Sequence, residues 1–186
     1  MIVQPFKGTQ KGLLAFLGQY HYLGCSKFPY VRVYGAYKDT ILVGVCVFST
    51  PSSSYTIKKY FKVPCKMLEL SRLALAFNDK NLASQFASEC IRLEKKLGIE
   101  AILSYADASK HAGIVYQAMN FKYFGKTAVK RDMYLVVNGV CQKLGRKRVP
   151  SRGKVVALKR PQKHIYILPL ARKIEYAQPI LAYPKA

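Results

Sequence analysis

Asp107 closes an apolar run and is one of only nine acidic residues in a chain of 186. It sits within Ile99 to Gly125, IEAILSYADASKHAGIVYQAMNFKYFG. This segment reads as a buried strand, a polar Tyr-Ala-Asp exit, a short helix carrying Tyr116-Gln117-Ala118, and a second aromatic strand. A carboxylate released from a strand end and a phenol on the next helix can face one cleft. There the carboxylate accepts a proton or binds a cation. The phenol, with an ordinary pKa near ~10, donates a proton to a leaving group at neutral pH. The pair suggests a transferase. Each residue also has a structural reading. Asp107 is a favoured cap for a helix beginning at Ser109, and Tyr116, among Ile114, Val115 and Met119, can be a core aromatic.

Three other positions carry chemistry. Arg72 lies in an apolar strand, where a guanidinium needs an anionic partner. That partner is Glu69, Asp107, or a ligand phosphate or carboxylate. His21-Tyr22 occupies a helix-to-loop junction. His164 falls in the basic C-terminal region, where it either contacts nucleic acid or packs on Tyr166.

The elements that position these residues are legible in outline. Thr9 caps a helix over Gln10 to Tyr20 whose apolar face includes Leu13 and Leu17. Tyr30 to Tyr37 and Ile41 to Phe48 form a hairpin. Ser49 to Tyr55 reads as a loop and Lys66 to Ala76 as a third strand. Asn81 precedes a helix from Leu82 to Leu97, which Gly98 ends. Then come strand Glu100 to Tyr105, helix Ser109 to Met119, strand Phe121 to Phe124, and Asp132 to Val137 as a last core strand. This order predicts an α/β (α+β) fold, with helices flanking one mixed, mainly antiparallel sheet. Residues 1–140 form the core, and 141–186 a basic C-terminal extension packed on it or extending from it.

There are 31 Lys and Arg against 9 Asp and Glu, a formal charge of +22. A charge this large points to a polyanionic partner. It is densest at the end: residues 143–186 hold twelve basic residues and one acid, Glu175. Arg146, Lys147, Arg148, Arg152, Lys154, Lys159, Arg160 and Lys163 are the expected nucleic-acid contacts. The five cysteines (Cys25, Cys46, Cys65, Cys90, Cys141) form no C-x-x-C pair, so a zinc finger is not expected. Cys46 and Cys90 sit in apolar patterns as small core residues. Reduced thiols, the lack of a signal-peptide pattern and the lack of an apolar run of roughly 18 residues suggest a cytoplasmic protein with no membrane partner.

The element order resembles the GNAT acyltransferase fold, and five words resemble something narrower. His21-Tyr22, Glu69-Leu70-Ser71-Arg72-Leu73, Ser104-Tyr105-Ala106-Asp107, Ile114-Val115-Tyr116-Gln117-Ala118 and Lys163-His164-x-Tyr166 occur in this order. Together they are similar to the phage Mom family over about residues 15 to 170. That resemblance implies conversion of adenine in double-stranded DNA to N6-carbamoylmethyl-adenine, protecting phage DNA from restriction in the host cytoplasm. It implies roles for His21, Tyr22, Arg72, Asp107 and Tyr116. It also implies an iron ion held by residues of this set, His21, Tyr22, Asp107 and Tyr116, whose N/O donors suit iron.

GNAT enzymes cradle the pyrophosphate of acyl-CoA on a glycine-rich turn at a helix start. Here the matching segment, ALAFNDKNL from Ala74 to Leu82, has no glycine and carries Asp79. An acyl-CoA donor is therefore doubtful, and the sequence does not identify the group donor. Two competing readings remain. An acyl-CoA-dependent N-acyltransferase acting on a small or protein amine would tolerate loss of the arm. A non-enzymatic basic nucleic-acid-binding protein would be indifferent to Asp107 and Tyr116.

Overall fold

The computed structural model describes residues 1–24, 27–53, 55–137, 140–144 and 154–185. A seven-stranded sheet runs through the molecule. Its strands are β1 (Ile2–Pro5), β2 (Arg32–Lys38), β3 (Ile41–Ser49), β4 (Met67–Leu75), β5 (Ala101–Asp107), β6 (Lys122–Lys126) and β10 (Lys163–Pro169). The spatial order is β1-β2-β3-β4-β5-β10-β6. All neighbours are antiparallel except β4 and β5. The parallel pair is joined through helix α3 (Leu82–Lys96), as a parallel connection requires. Helices α1 (Gln10–Tyr20), α2 (Tyr55–Tyr60) and α4 (Ile114–Ala118) complete the core.

Local chemistry explains most of these elements. The Thr9 hydroxyl accepts the Gly12 N–H at 3.2 Å and starts α1. Leu13 and Leu17, one turn apart, are buried with Val45, Val47 and Ala74 of the sheet. Helix α3 buries Phe86, Ala87, Cys90 and Ile91 against a cluster that includes Phe48, Ile102, Phe121 and Tyr166. Removing such large side chains from water contributes about 1.5–3 kcal/mol each. Cys46 and Cys90 are fully buried, as their apolar surroundings predict. At the end of α3, Leu97 is exposed, although apolar, and Glu94 is fully buried. Glu94 accepts hydrogen bonds from Arg32 Nε at 2.7 and 2.9 Å and from the Tyr34 hydroxyl at 3.0 Å. A buried carboxylate is tolerated only with such partners.

Three expectations need correction. The first is the boundary at residue 140. β10 lies between β5 and β6 in the central sheet, with His164, Ile165, Tyr166 and Ile167 all buried. A strand covered on both faces reads as an unbroken apolar run, not an alternation. The flanking cations hide such a short run. The second is Asp132 to Val137. It is strand β7 (Arg131–Val137) of a separate three-stranded sheet with β8 (Val140–Lys143) and β9 (Lys154–Lys159), in the order β8-β7-β9. None of its residues is buried. The third is the helix from Ser109. Only Ile114–Ala118 is helical: residues 108–110 form a turn, and Gly113, at φ +75°, stands at the N-cap of the helix. A Cβ on Gly113 would also lie 2.6 Å from the Tyr166 ring. Strand β1 and helix α2 lack a long periodic pattern and were not expected.

One irregularity positions the site. β3 pairs Val47 with Arg72 and Phe48 with Leu70, so Ser71 is the extra residue of a bulge in β4. Bulges bend a strand and end pairing. The β4–β5 ladder runs only from Met67–Ala101 to Leu70–Ser104, yet β4 continues to Leu75 and β5 to Asp107. The sheet therefore splits at the C-terminal ends of its parallel strands, where α/β sheets place ligands. The Ser104 hydroxyl donates to the Leu70 carbonyl at 2.9 Å and closes the vertex.

Candidate functional site

A cavity of about 480 Å³ fills the split, within the range of small-molecule sites. The β4 side contributes Ser71 and the run from Leu73 to Asn78. The β5 side contributes Tyr105, His111 and the Gly113–Tyr116 turn. The end of α1 adds Tyr20, His21 and Tyr22. Three of the five expected residues, His21, Tyr22 and Tyr116, thus line one cavity. Arg72 and Asp107 are not in its lining. Both stand close enough to Tyr22 to shift the pKa of its phenol, Asp107 upward and Arg72 downward, while burial is the largest cause of its net rise.

His21 ends α1 and stacks on Tyr22, with ring centroids 4.7 Å apart. Its Nδ1 accepts the Leu23 N–H at 3.1 Å. Burial, then Arg72 and His111, bring its pKa down to about 4. At neutral pH the ring is uncharged. With Nδ1 accepting, the proton sits on Nε2. His21 is therefore a hydrogen-bond donor. Tyr116 packs against Phe121 and Tyr166 at 5.4 and 5.3 Å. Burial pushes its phenol up to about 12, against a lowering hydrogen bond with Ser104. It keeps its proton and can donate it.

Asp107 satisfies its structural reading in altered form. Its Oδ1 accepts the Ser109 N–H at 3.0 Å and the Ser109 hydroxyl at 2.6 Å. This closes a local turn and does not cap a helix. Burial pushes its pKa up, but the two Ser109 bonds, Lys110 and Lys163 outweigh it and hold the net value low. Asp107 is an anion with one oxygen left over, better suited to orienting a group than to taking its proton.

Arg72 forms an ion pair with neither Glu69 nor Asp107 among the described residues. Its Nη1 donates to the Ser71 carbonyl at 2.7 Å, and its guanidinium lies 4.5 Å from the centre of the Phe28 ring. Its Nε is buried without a partner. An unpaired buried donor is costly, and a ligand oxygen would satisfy it.

Of the four residues implied for iron, His21, Tyr22 and Tyr116 line the cavity and Asp107 does not. Among the described residues no three His, Cys, Asp or Glu side chains come together as metal ligands. The neutral His21 has committed its lone pair to Leu23, and Tyr22 and Tyr116 hold their protons more firmly than usual.

The words of the sequence meet in space. Gln117 donates to the Ala112 carbonyl at 3.1 Å and to the Tyr166 hydroxyl at 3.3 Å, and Tyr166 itself bonds the Ala112 carbonyl. Helix α4 is thereby fastened to β10. His164 is buried, with its Nδ1 2.9 Å from the Tyr123 hydroxyl, so it belongs to the core. Of the expected DNA contacts, Arg146, Lys147, Arg148 and Arg152 lie outside the described residues. Lys154 and Lys159 are exposed on β9. Arg160 and Lys143 bind Asp132, and Lys163 stands 5.9 Å from the Tyr105 ring centre. Sequence reasoning did not single out Phe77 or His111. Phe77 lines the cavity while 52 % exposed, and an aromatic inside an Asn-Asp-Lys turn was the available signal. His111 meets the edge of Tyr22 at 6.2 Å.

Comparison with known proteins places this geometry. A Bacillus subtilis acetyltransferase in complex with CoA superposes with TM-score 0.56 and 17 % identity, over 91 % of this chain and 98 % of that one. The ribosomal-protein-S18-alanine N-acetyltransferase of Escherichia coli gives TM-score 0.57 at 13 % identity, over 92 % and 95 %. An N-acetyltransferase from Staphylococcus aureus Mu50 gives 0.55 at 14 %, over 91 % and 98 %. These likenesses establish the fold: a GNAT-like acetyltransferase architecture with a mainly antiparallel sheet. No curated protein sequence matches the chain. The model of the Mom protein family matches residues 8–185, and with nearly its whole length covered, the chain belongs to the Mom protein family.

Proposed function

We propose that this protein is a DNA-modifying transferase that converts adenine in double-stranded DNA to N6-carbamoylmethyl-adenine. The observation that carries this reading is the convergence, in a Mom-family chain, of His21, Tyr22 and Tyr116 on one cavity at the split of the sheet. The charge of +22 suits a nucleic-acid partner.

Adenine's exocyclic nitrogen is a poor nucleophile, and in a duplex it is paired and stacked. The base must leave the stack before it reacts. Tyr22, 47 % exposed, and Phe77 offer aromatic faces to an extruded base. His21 Nε2–H and the Tyr116 hydroxyl donate hydrogen bonds into the cavity. From behind the lining, the positive charge of Arg72 favours negative charge developing on the transferred group, and Asp107 orients the incoming amine. The group donor is not specified by this arrangement.

The test is mass analysis of DNA nucleosides from cells expressing the protein. Wild type should yield N6-carbamoylmethyl-deoxyadenosine. Asp107→Asn, which keeps the acceptor for Ser109 but removes the charge, should abolish it. Absence of the nucleoside in wild type overturns the reading, and an undiminished yield in the variant removes Asp107 from the chemistry. A second reading, an acyl-CoA-dependent N-acyltransferase, is favoured by one observation: the cavity reaches Ala83 at the start of α3. Calorimetry with acetyl-CoA separates the two, since micromolar binding belongs only to the second.

A further inference from the structure

Tyr105 borders two cavities. Beyond the cleft just described lies another of about 330 Å³, lined by Ser52, Glu69, Tyr105, Thr127, Lys130, Arg160 and Lys163 among others. It sits where the central sheet gives way to the outer one, between the strands that leave β6 for β7 and return from β9 to β10. Its cationic residues are prepositioned by the backbone. The Arg160 N–H donates to the Lys130 carbonyl at 2.8 Å. The Thr127 N–H donates to the Lys163 carbonyl at 2.8 Å, and the Lys163 N–H donates to Thr127 Oγ1 at 3.0 Å.

We propose that this second cavity is a subsite for a single phosphate group, seated against Lys130, Arg160 and Lys163 beside the nucleotide whose base enters the cleft. The charge balance supports it. Asp132 is shared by Arg160 and Lys143, and Lys130 has no acidic partner among the described residues. Glu69, the one carboxylate in the lining, accepts no hydrogen bond among the described residues, and burial keeps its pKa raised against the pull of Lys163 and Arg72. The Ser52 and Thr127 hydroxyls add neutral donors. The shared wall also fits a nucleotide: base and phosphate of one residue lie on opposite sides of a sugar, and here the two cavities lie on either side of Tyr105.

The location favours a DNA backbone phosphate, and this rests on the proposed function; a phosphate of a small donor molecule would satisfy the same chemistry. The test uses full-length protein and an oligothymidylate carrying one central dA, with either ordinary linkages or one neutral methylphosphonate beside the dA. Wild type should bind the ordinary strand about tenfold more tightly than the neutralised one, as expected for loss of one charge-assisted contact. Lys130→Gln/Lys163→Gln should bind the ordinary strand about tenfold more weakly, ignore the methylphosphonate, and show a salt slope shallower by about one to two. Lys130→Gln alone, at an exposed position, should move the same way by less, which excludes misfolding as the cause. If wild type binds DNA while the double variant keeps its affinity and its sensitivity to the methylphosphonate, the subsite is overturned and the DNA reading stands. If wild type does not bind DNA, titration with inorganic phosphate by phosphorus NMR decides. Line broadening in wild type but not in the double variant keeps the subsite with a small-molecule source, and none in either overturns it.

Discussion

An imidazole that stays neutral through the physiological range is a different tool from one poised to titrate. His21 is such a group, with a pKa of about 4 set by burial, Arg72 and His111. The sign for stability follows from linkage. Between about 6.5 and about 4 the unfolded chain binds a proton at this position and the folded chain does not, so stability from this group falls as pH drops through that window. Proton NMR should find the His21 ring titrating near 4, with the Nε2–H tautomer above it. A midpoint near 6.5 would contradict the buried, donor role. His21→Gln, which keeps an N–H donor, should retain more activity than His21→Ala and should flatten the acid limb of the stability curve. Residue types were the most legible part of the site: His21, Tyr22 and Tyr116 stood out in the sequence. Partners were not. Arg72 bonds its neighbour's carbonyl and leans on Phe28, because a bulge at Ser71 sets where the guanidinium points, and no local pattern announces a bulge.

At the scale of elements, Gly113 holds the short helix where Tyr116 can reach the cleft. Its φ of +75° is a left-handed conformation, and the space for a side chain is taken by Tyr166, a fully buried ring bonded to the Ala112 carbonyl and to Gln117. Gly113→Ala should cost about 2 kcal/mol or more, from backbone strain of roughly 1–2 kcal/mol plus the overlap. That corresponds to a fall in Tm of about 4–8 °C for a domain of this size. Activity should fall further than stability, because α4 must shift to relieve the contact. An unchanged Tm would show that Tyr166 yields easily and that α4 is not fixed through it. The elements themselves were legible where periodicity was long: α1, α3 and the β2–β3 hairpin fall close to their expected bounds. β10 was not, since HIYIL between lysines and prolines reads as part of a basic tail until β5 and β6 are seen to flank it.

Across the whole molecule, charge is arranged against the stability of the free protein. The outer sheet pairs Arg131 directly with Lys159 and sets Lys154 opposite Val136. Like charges opposite one another on a ladder destabilise it by a few tenths of a kcal/mol. Under the proposed function a bound polyanion would reverse that sign, trading folding stability for phosphate contacts. Two measurements on one variant separate these terms. Wild type binding to duplex DNA should weaken with salt along a log–log slope of roughly −5 to −7, as for six to eight neutralised phosphates. Lys159→Gln should make that slope shallower by about one. In the absence of DNA the same variant should melt at an equal or slightly higher temperature, since the cross-strand repulsion is gone. A lower melting temperature with an unchanged slope would mean that Lys159 serves the fold and not the partner. The cationic excess was plain from composition, but its placement was not. The strands that carry part of it are apolar enough to pass for core, and only their pairing outside the central sheet leaves none of their described residues buried.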